Sequence, residues 1–223
     1  MALLTDKVAI VTGAGHGIGR AHALELAKHG AKVVVNDLGT SVTGDGADQK
    51  AADLTVELIT QRGGTAVASY DDVSDYEGAG RMVALAVDTY GRLDVLVNNA
   101  GIVRDTAIWN MSEADFDAVI KVHLKGSWAP SHHAARHWRE RAKAGEVFTG
   151  RVINTTSGAG LVGNFGQTNY ATAKAGIAGF TQTLSLELYK LGVTVNAVGP
   201  AAATRITGTM PGAPAVIEAD EVP

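Results

Sequence analysis

Three side chains in the C-terminal half have types and spacing that suit proton transfer. Tyr170 and Lys174 stand four residues apart in a stretch of helical spacing, Asn169–Leu191, so they share one helix face. Ser157 lies just past Arg151–Thr155, a β-branched run that reads as a strand. A tyrosine ionises near pH ~10 and is by itself a poor acid or base at neutral pH. A nearby lysine ammonium favours the phenolate and brings that value toward a useful range. Ser157 can then hold a substrate oxygen. Any helix supplies a Tyr-x-x-x-Lys pair by chance, so its weight depends on what positions it.

The second constellation is Thr12-Gly13-Ala14-Gly15-His16-Gly17-Ile18-Gly19, directly after the strand-like run Lys7–Thr12. Glycines at Gly13, Gly17 and Gly19 let the backbone turn tightly and approach a pyrophosphate, and Ile18 opens a helix whose free N–H groups face it. The order T-G-x-x-x-G-x-G is neither the G-x-G-x-x-G fingerprint nor a Walker loop. A turn of this kind can also join strand to helix without a ligand; its place after the first strand favours the phosphate reading. Asp37 ends the second strand, 24 residues beyond Gly13. A carboxylate there accepts the ribose hydroxyls of adenosine and repels a 2′-phosphate. No Arg or Lys lies between Lys32 and Lys50, so NAD is favoured over NADP as the cofactor.

The elements that must hold these residues alternate along the chain. Strands are expected at Lys7–Thr12, Lys32–Asn36, Thr65–Tyr70, Leu93–Val97, Arg151–Thr155 and Val193–Val198. Helices are expected at Ile18–His29, Ala47–Arg62, Tyr76–Tyr90 and Asn169–Leu191, with a long one capped by Ser112 and running to about Lys143. Near-continuous apolar strands are buried on both faces, and right-handed crossovers place helices on both sides. The expectation is α/β: a single-domain, doubly wound Rossmann-type parallel sheet with its ligand at the carboxyl ends of the strands.

With those residues in order, the sequence resembles the short-chain dehydrogenase/reductase family. The likeness is carried by the glycine turn, Asn98-Asn99-Ala100-Gly101 after the fourth strand, Ser157, and, thirteen residues after Ser157, Tyr170 with Lys174. Asp72-Val73 matches the pair that touches adenine in that family. Within it the chain is more similar to the (3R)-hydroxyacyl-CoA dehydrogenase domains of peroxisomal multifunctional enzymes of type 2, through Val33–Gly39, Asn98–Asp105, Val122–Ser127 and Gly163–Lys174. The resemblance implies hydride transfer between NAD and a secondary alcohol, with a 3-hydroxyacyl-CoA/3-oxoacyl-CoA pair leading and a sterol, another secondary alcohol or a 3-oxoacyl carrier-protein substrate as alternatives. An NAD(H)-binding sensor without turnover is the non-enzyme alternative.

By the same resemblance Tyr170 exchanges the proton, Ser157 binds the substrate oxygen, and Lys174 lowers the tyrosine pKa and holds the nicotinamide ribose. Asn99, Ala100 and Gly101 border the cofactor, as do Pro200 and Thr204 after the sixth strand. His123 stands where many relatives carry an asparagine that supports a proton relay. It is expected to pack, with its backbone carbonyl holding the water, or else to relay protons itself. Pro200-Ala201 replaces the family's Pro-Gly pair, and only 23 residues follow Pro200. A covering helix and a seventh strand are therefore expected to be short or missing.

Composition agrees with a folded enzyme: 46% apolar and 19% charged residues over 223 positions exclude a disordered chain. A net charge of −4 offers no basic face for nucleic acid, and zero cysteines remove disulfides and thiolate chemistry. No apolar run approaches a membrane span. MALLTDKVAI lacks the build of a signal peptide and IEADEVP is not a peroxisomal address, so a cytoplasmic protein is expected. His133 and His137 are spaced for a metal but lack a third ligand, and packing is preferred, so no metal is expected. Trp128 and Trp138 are expected to bury against a neighbouring subunit of a homodimer or homotetramer. The small-residue string Gly158–Gly166 is expected at the substrate mouth.

Overall fold

The computed structural model describes residues 2–200 and, beyond them, the backbone of 202–203 and 217–218. Strands β1 (Val8–Thr12), β2 (Lys32–Asn36), β3 (Thr65–Ser69), β4 (Val95–Asn98), β5 (Gly150–Thr155) and β6 (Val193–Val198) form one sheet in the order β3-β2-β1-β4-β5-β6. All its pairings are parallel. The order reverses between β1 and β4, which is where such a sheet opens a crevice for a ligand.

Alternation along the strands assigns each helix to a face. Val8 and Ile10 of β1 point into one core with Met82, Val83, Ala134, Trp138 and Leu184. These come from α3 (Tyr76–Tyr90), α5 (Gly126–Lys143) and α7 (Thr168–Leu188). Ala9 and Val11 point the other way, onto Ala23 and Ala27 of α1 (Gly17–Lys28) and Ala52 and Ile59 of α2 (Lys50–Gln61). The small alanines let α1 approach closely and keep the glycine turn pressed on the sheet. Doubly wound architecture, as expected, is the result.

The long helix after Ser112 differs from expectation. Ser112 does cap it, accepting from the Asp115 N–H at 3.1 Å. It then runs as α4 (Glu113–Ile120), passes through a π turn at Lys121–Lys125, and resumes as α5. A π turn inserts one extra residue into the repeat, so α4 and α5 present their apolar residues to different neighbours. Val119 of α4 packs with Ala173 of α7, whereas Ala134 and Trp138 of α5 join the sheet core. Trp138 is thus buried inside its own chain, its indole N–H donating to Leu93 O at 2.8 Å. Trp128 remains substantially exposed and stacks on Tyr76. His133 is also absorbed locally, against the Tyr76 ring and carbonyl. The helix expected to end at Leu191 closes as a 3-10 turn, Tyr189–Leu191, and a short helix α6 (Ala159–Val162) interrupts the glycine-rich mouth.

Candidate active site

The crevice beside the reversal point is lined by the first turn of α1 and the ends of β2, β3 and β4. Gly13, Gly17, Ile18, Gly19, Asp37, Asp72, Val73, Asn99, Ala100 and Gly101 all border it. The Thr12 hydroxyl ties β1 to β4: it accepts from the backbone N–H of Asn99 (3.0 Å) and Ala100 (3.1 Å). Asn99 returns its amide to the Thr12 carbonyl at 3.0 Å. Gly13 has φ +63°, and a Cβ there would sit 2.8 Å from Ala100 Cα. A Cβ on Gly19 would run into the Gly13 carbonyl. The turn therefore stays bare, and a diphosphate can lie against backbone N–H groups at a helix start. Asp37 accepts from Gly15 N–H and Gly39 N–H, each at 2.7 Å, which holds its carboxylate at the crevice edge. A bare turn at a helix N-terminus with a fixed carboxylate beyond it fits a dinucleotide.

The catalytic candidates sit past the carboxyl ends of β5 and in the first two turns of α7. Lys174, only 3% exposed, donates its Nζ to Thr155 O at 2.6 Å and lies 5.5 Å from the centre of the Tyr170 ring. α6 is pressed onto α7 because Gly160 has no side chain: a Cβ there would lie 2.6 Å from Ala175 N. That packing brings Ser157, two residues before α6, beside Tyr170, whose pKa its hydroxyl lowers. Asn169 fixes the other side of Tyr170. Its amide donates to Arg104 O at 2.9 Å and its oxygen accepts from Tyr170 N–H at 2.7 Å.

His123, in the π turn, is 2% exposed and meets Tyr170 edge-on with ring centres 5.2 Å apart. Its Nε2 lies 2.7 Å from Ile102 O, while its own backbone carbonyl accepts from the Ser127 hydroxyl at 2.7 Å. Gly101 is needed here, since a side chain would strike the imidazole. Burial, with the charge of Lys174 adding to it, pushes the His123 pKa down to about 3. Burial likewise brings Lys174 down to about 7.

Tyr170 is pushed up by burial; the Ser157 hydroxyl pulls it down, and the Asp105 carboxylate pushes it up again. The protein groups alone thus leave the phenol protonated beyond neutral pH. Asp105, the last residue of Asn98–Asp105, reaches the site. Gln167 donates to it at 2.6 Å and accepts from Asn164 at 3.0 Å, joining the segment after β4 to the start of α7. Asp105→Asn keeps an acceptor for Gln167 and removes the charge, which favours the phenolate. The ascending limb of alcohol oxidation against pH is expected to move to lower pH in that variant. A limb that stays put would show that the phenol does not sense this carboxylate.

Of the remaining candidates, Pro200 is half-buried just beyond β6 and does not border the crevice, and Thr204 lies outside the described residues. Among the described residues no cluster of His, Asp and Glu is arranged to hold a metal, and no helix is long and apolar enough to cross a membrane. Sequence reasoning missed Arg104, Asp105, Gln167 and Asn169. The signal for the first two lay in Asn98–Asp105, whose last residues carry charge beside a buried apolar pair.

A parallel sheet with a bare glycine turn at its reversal point and a Ser–Tyr–Lys group past its carboxyl edge has the architecture of a dinucleotide fold. The comparison with known proteins agrees. The model of the short chain dehydrogenase family matches residues 7–211, and the chain belongs to that family. Its members are oxidoreductases that use nicotinamide nucleotides. The chain is 50% identical over 202 residues to peroxisomal multifunctional enzyme A of Dictyostelium discoideum, covering 91% of this chain and 44% of that protein. It is 45% identical over 225 residues to a hydroxyacyl-CoA dehydrogenase of Mycobacterium tuberculosis, covering 98% of this chain and 68% of that one. A crystal structure of a short chain dehydrogenase from Mycobacterium avium superposes with a TM-score of 0.83 at 54% identity, over 89% of this chain and 68% of that one. The chain therefore spans less than half the length of the Dictyostelium multifunctional relative.

Proposed function

We propose that this chain is an NAD-dependent dehydrogenase of secondary alcohols, acting on a 3-hydroxyacyl-CoA/3-oxoacyl-CoA pair. The observation that carries the reading is the meeting of Ser157, Tyr170 and Lys174 at the carboxyl edge of the sheet, beside a crevice bordered by the glycine turn and Asp37. When bound, an oxidised nicotinamide supplies the hydride acceptor and a positive charge that opposes the effect of burial on the phenol. Ser157 holds the alcohol oxygen, and Tyr170 takes its proton as the carbon-bound hydrogen leaves as hydride. Lys174, protonated below about pH 7, holds its Nζ 5.5 Å from the centre of the Tyr170 ring and would bind the nicotinamide ribose. His123 is neutral across the working range and packs the phenol in place; a relay needs a group that titrates near the working pH.

Two features support an apolar substrate. Trp109 and Phe165 are exposed and meet edge-on at 6.2 Å, joined through Thr106 N–H to Gly166 O at 2.8 Å. Leu161 and Val162, on α6 just after Ser157, are also exposed. An acyl chain suits this rim, and so does a sterol, which is the second reading. The name of the Mycobacterium tuberculosis relative, a hydroxyacyl-CoA dehydrogenase, weights the first. A homodimer or homotetramer would cover Leu124, Trp128 and Phe180, which line an open apolar hollow between the π turn, α5 and α7.

The test follows nicotinamide absorbance with NAD or NADP and (3R)- or (3S)-hydroxybutyryl-CoA. NAD-dependent oxidation of one isomer is the expected result; silence with both isomers, in protein that binds NADH, overturns the short-chain acyl-CoA assignment. In the same assay Asp37→Ala is expected to lower kcat/KM for NAD about 10- to 100-fold, the worth of a charged hydrogen bond, and to narrow the preference over NADP. An unchanged NAD to NADP ratio would remove Asp37 from the specificity argument.

A further inference from the structure

The loop between β2 and α2 folds over the same crevice. Thr40, Ser41, Val42 and Gly44 border it together with Asp37. This loop has no regular structure of its own, and three of its glycines lie in the left-handed region: Gly39 at φ +74°, Gly44 at +91° and Gly46 at +79°. It is held from outside, by the segment that follows β4. Val103 N–H donates to Val42 O at 2.9 Å, fixing the root of the contact. At the tip the Arg104 guanidinium donates through Nε to Thr43 O at 2.8 Å and reaches Asp45 at 3.5 Å. Its other nitrogen reaches Asp115, the third residue of α4, at 3.3 Å. Arg104 is itself only 25% exposed and borders the crevice it helps to close.

We infer that Arg104 is a positioning residue that clasps the 39–48 loop over the adenosine half of the cofactor, setting how tightly and how long the dinucleotide is held. The inference rests on the reading of the crevice as a nicotinamide dinucleotide site. Three physical points carry it. A glycine-rich loop with no ladder of its own has a low cost of opening, so its closed position is decided by a few outside contacts. The planar fork of an arginine spreads its donors over three nitrogens and so reaches a carbonyl and two carboxylates spaced apart, whereas a lysine offers its donors from one nitrogen. The backbone of Arg104 is also anchored: its carbonyl accepts from Asn169, whose oxygen holds Tyr170 N–H. One residue therefore fixes the loop through its side chain and adjoins the phenol through its backbone, so the loop closes against a rigid post.

The clasp predicts a split between binding and chemistry. Arg104→Ala leaves the Val103–Val42 contact and the Asn169 bond in place, since both use backbone groups. It is expected to raise KM for NAD and the NADH dissociation rate about tenfold, the worth of one charged hydrogen bond, with kcat falling much less. Arg104→Lys, with one donor point in place of a fork, is expected to recover only part of this. Asp45→Asn, on the exposed side of the loop, is expected to raise the dissociation rate about two- to threefold. Stopped-flow fluorescence of bound NADH and steady-state kinetics with varied NAD read both quantities. Arg104→Ala or Asp45→Asn with wild-type NADH dissociation overturns the clasp, as does a fall in kcat with no change in KM. A wild-type protein that binds neither NADH nor NADPH overturns the reading of the crevice and the clasp with it.

Discussion

Tyr170→Phe is expected to lower kcat about 10³-fold or more while NADH binds with near wild-type affinity. The substitution removes one oxygen and keeps the ring, which packs edge-on against His123 at 5.2 Å. The contacts that shape the crevice, from Thr12 to Asn99 and Ala100 and from Asp37 to Gly15, are remote from that oxygen. General acid–base catalysis is worth 10²- to 10⁴-fold, and the phenol also shares the substrate oxygen with Ser157, so the upper part of the range applies. Single-turnover absorbance with the preferred alcohol measures the chemical step, and fluorescence titration measures NADH binding. Retention of more than a tenth of wild-type turnover would take the proton-transfer role away from Tyr170. A wild-type protein that binds NADH and turns over no alcohol at all would favour a sensor.

Lys174→Met is expected to cost activity and add stability. Burial holds the folded-state pKa of Lys174 at about 7, well below its usual 10.5. Between those values the unfolded chain keeps a proton that the folded chain sheds, so wild-type stability rises with pH across that window. Below about pH 7 the ammonium is buried at full cost, offset in part by its bond to Thr155 O. Methionine fills the same space without charge, and leaves the Thr155 carbonyl one partner short. The difference is a gain on the order of 2 kcal/mol near pH 7, or several degrees in Tm for a chain of this size. Turnover is expected to fall about 10²- to 10⁴-fold, because Lys174 faces the phenol. Thermal melts from pH 6 to 10 decide the matter: a variant that melts below the wild type at pH 7, or that keeps the wild-type slope, contradicts it.

What could be read from the residues alone was what depends on neighbours close in sequence. Lys7–Thr12 and Lys32–Asn36 are short, β-branched and bounded by turn residues, and they fall within a residue of the strands that form. The glycine turn is eight consecutive positions, and Asp37 is placed simply by ending β2. Tyr170 and Lys174 are one helical turn apart, so their shared face needs no tertiary information. The π turn was illegible, because Lys121–Lys125 carries no proline, glycine or change of composition to mark one extra residue in a helix. Trp138 was expected to bury against a neighbouring subunit, yet it is buried within its own chain. Its burial depends on Leu93, 45 residues away, and on which way α5 faces after the π turn. Arg104 was hidden for the same reason: its partners lie on a loop 59 to 61 residues earlier and on a helix 11 residues later.

The extra residue at Lys121–Lys125 has a further consequence. A continuous α-helix from Ser112 to Lys143 would tie one angular register to two duties: packing the sheet through Trp138 and bracing Tyr170 through His123 and Val119. The single insertion shifts the phase of the repeat by about 100°, so each half answers to its own neighbours. Substitutions that reshape the wall beside the phenol need not re-index the half that stabilises the sheet. A helix broken in phase but not in continuity separates the part of the molecule that must stay constant from the part that can be retuned for a different substrate.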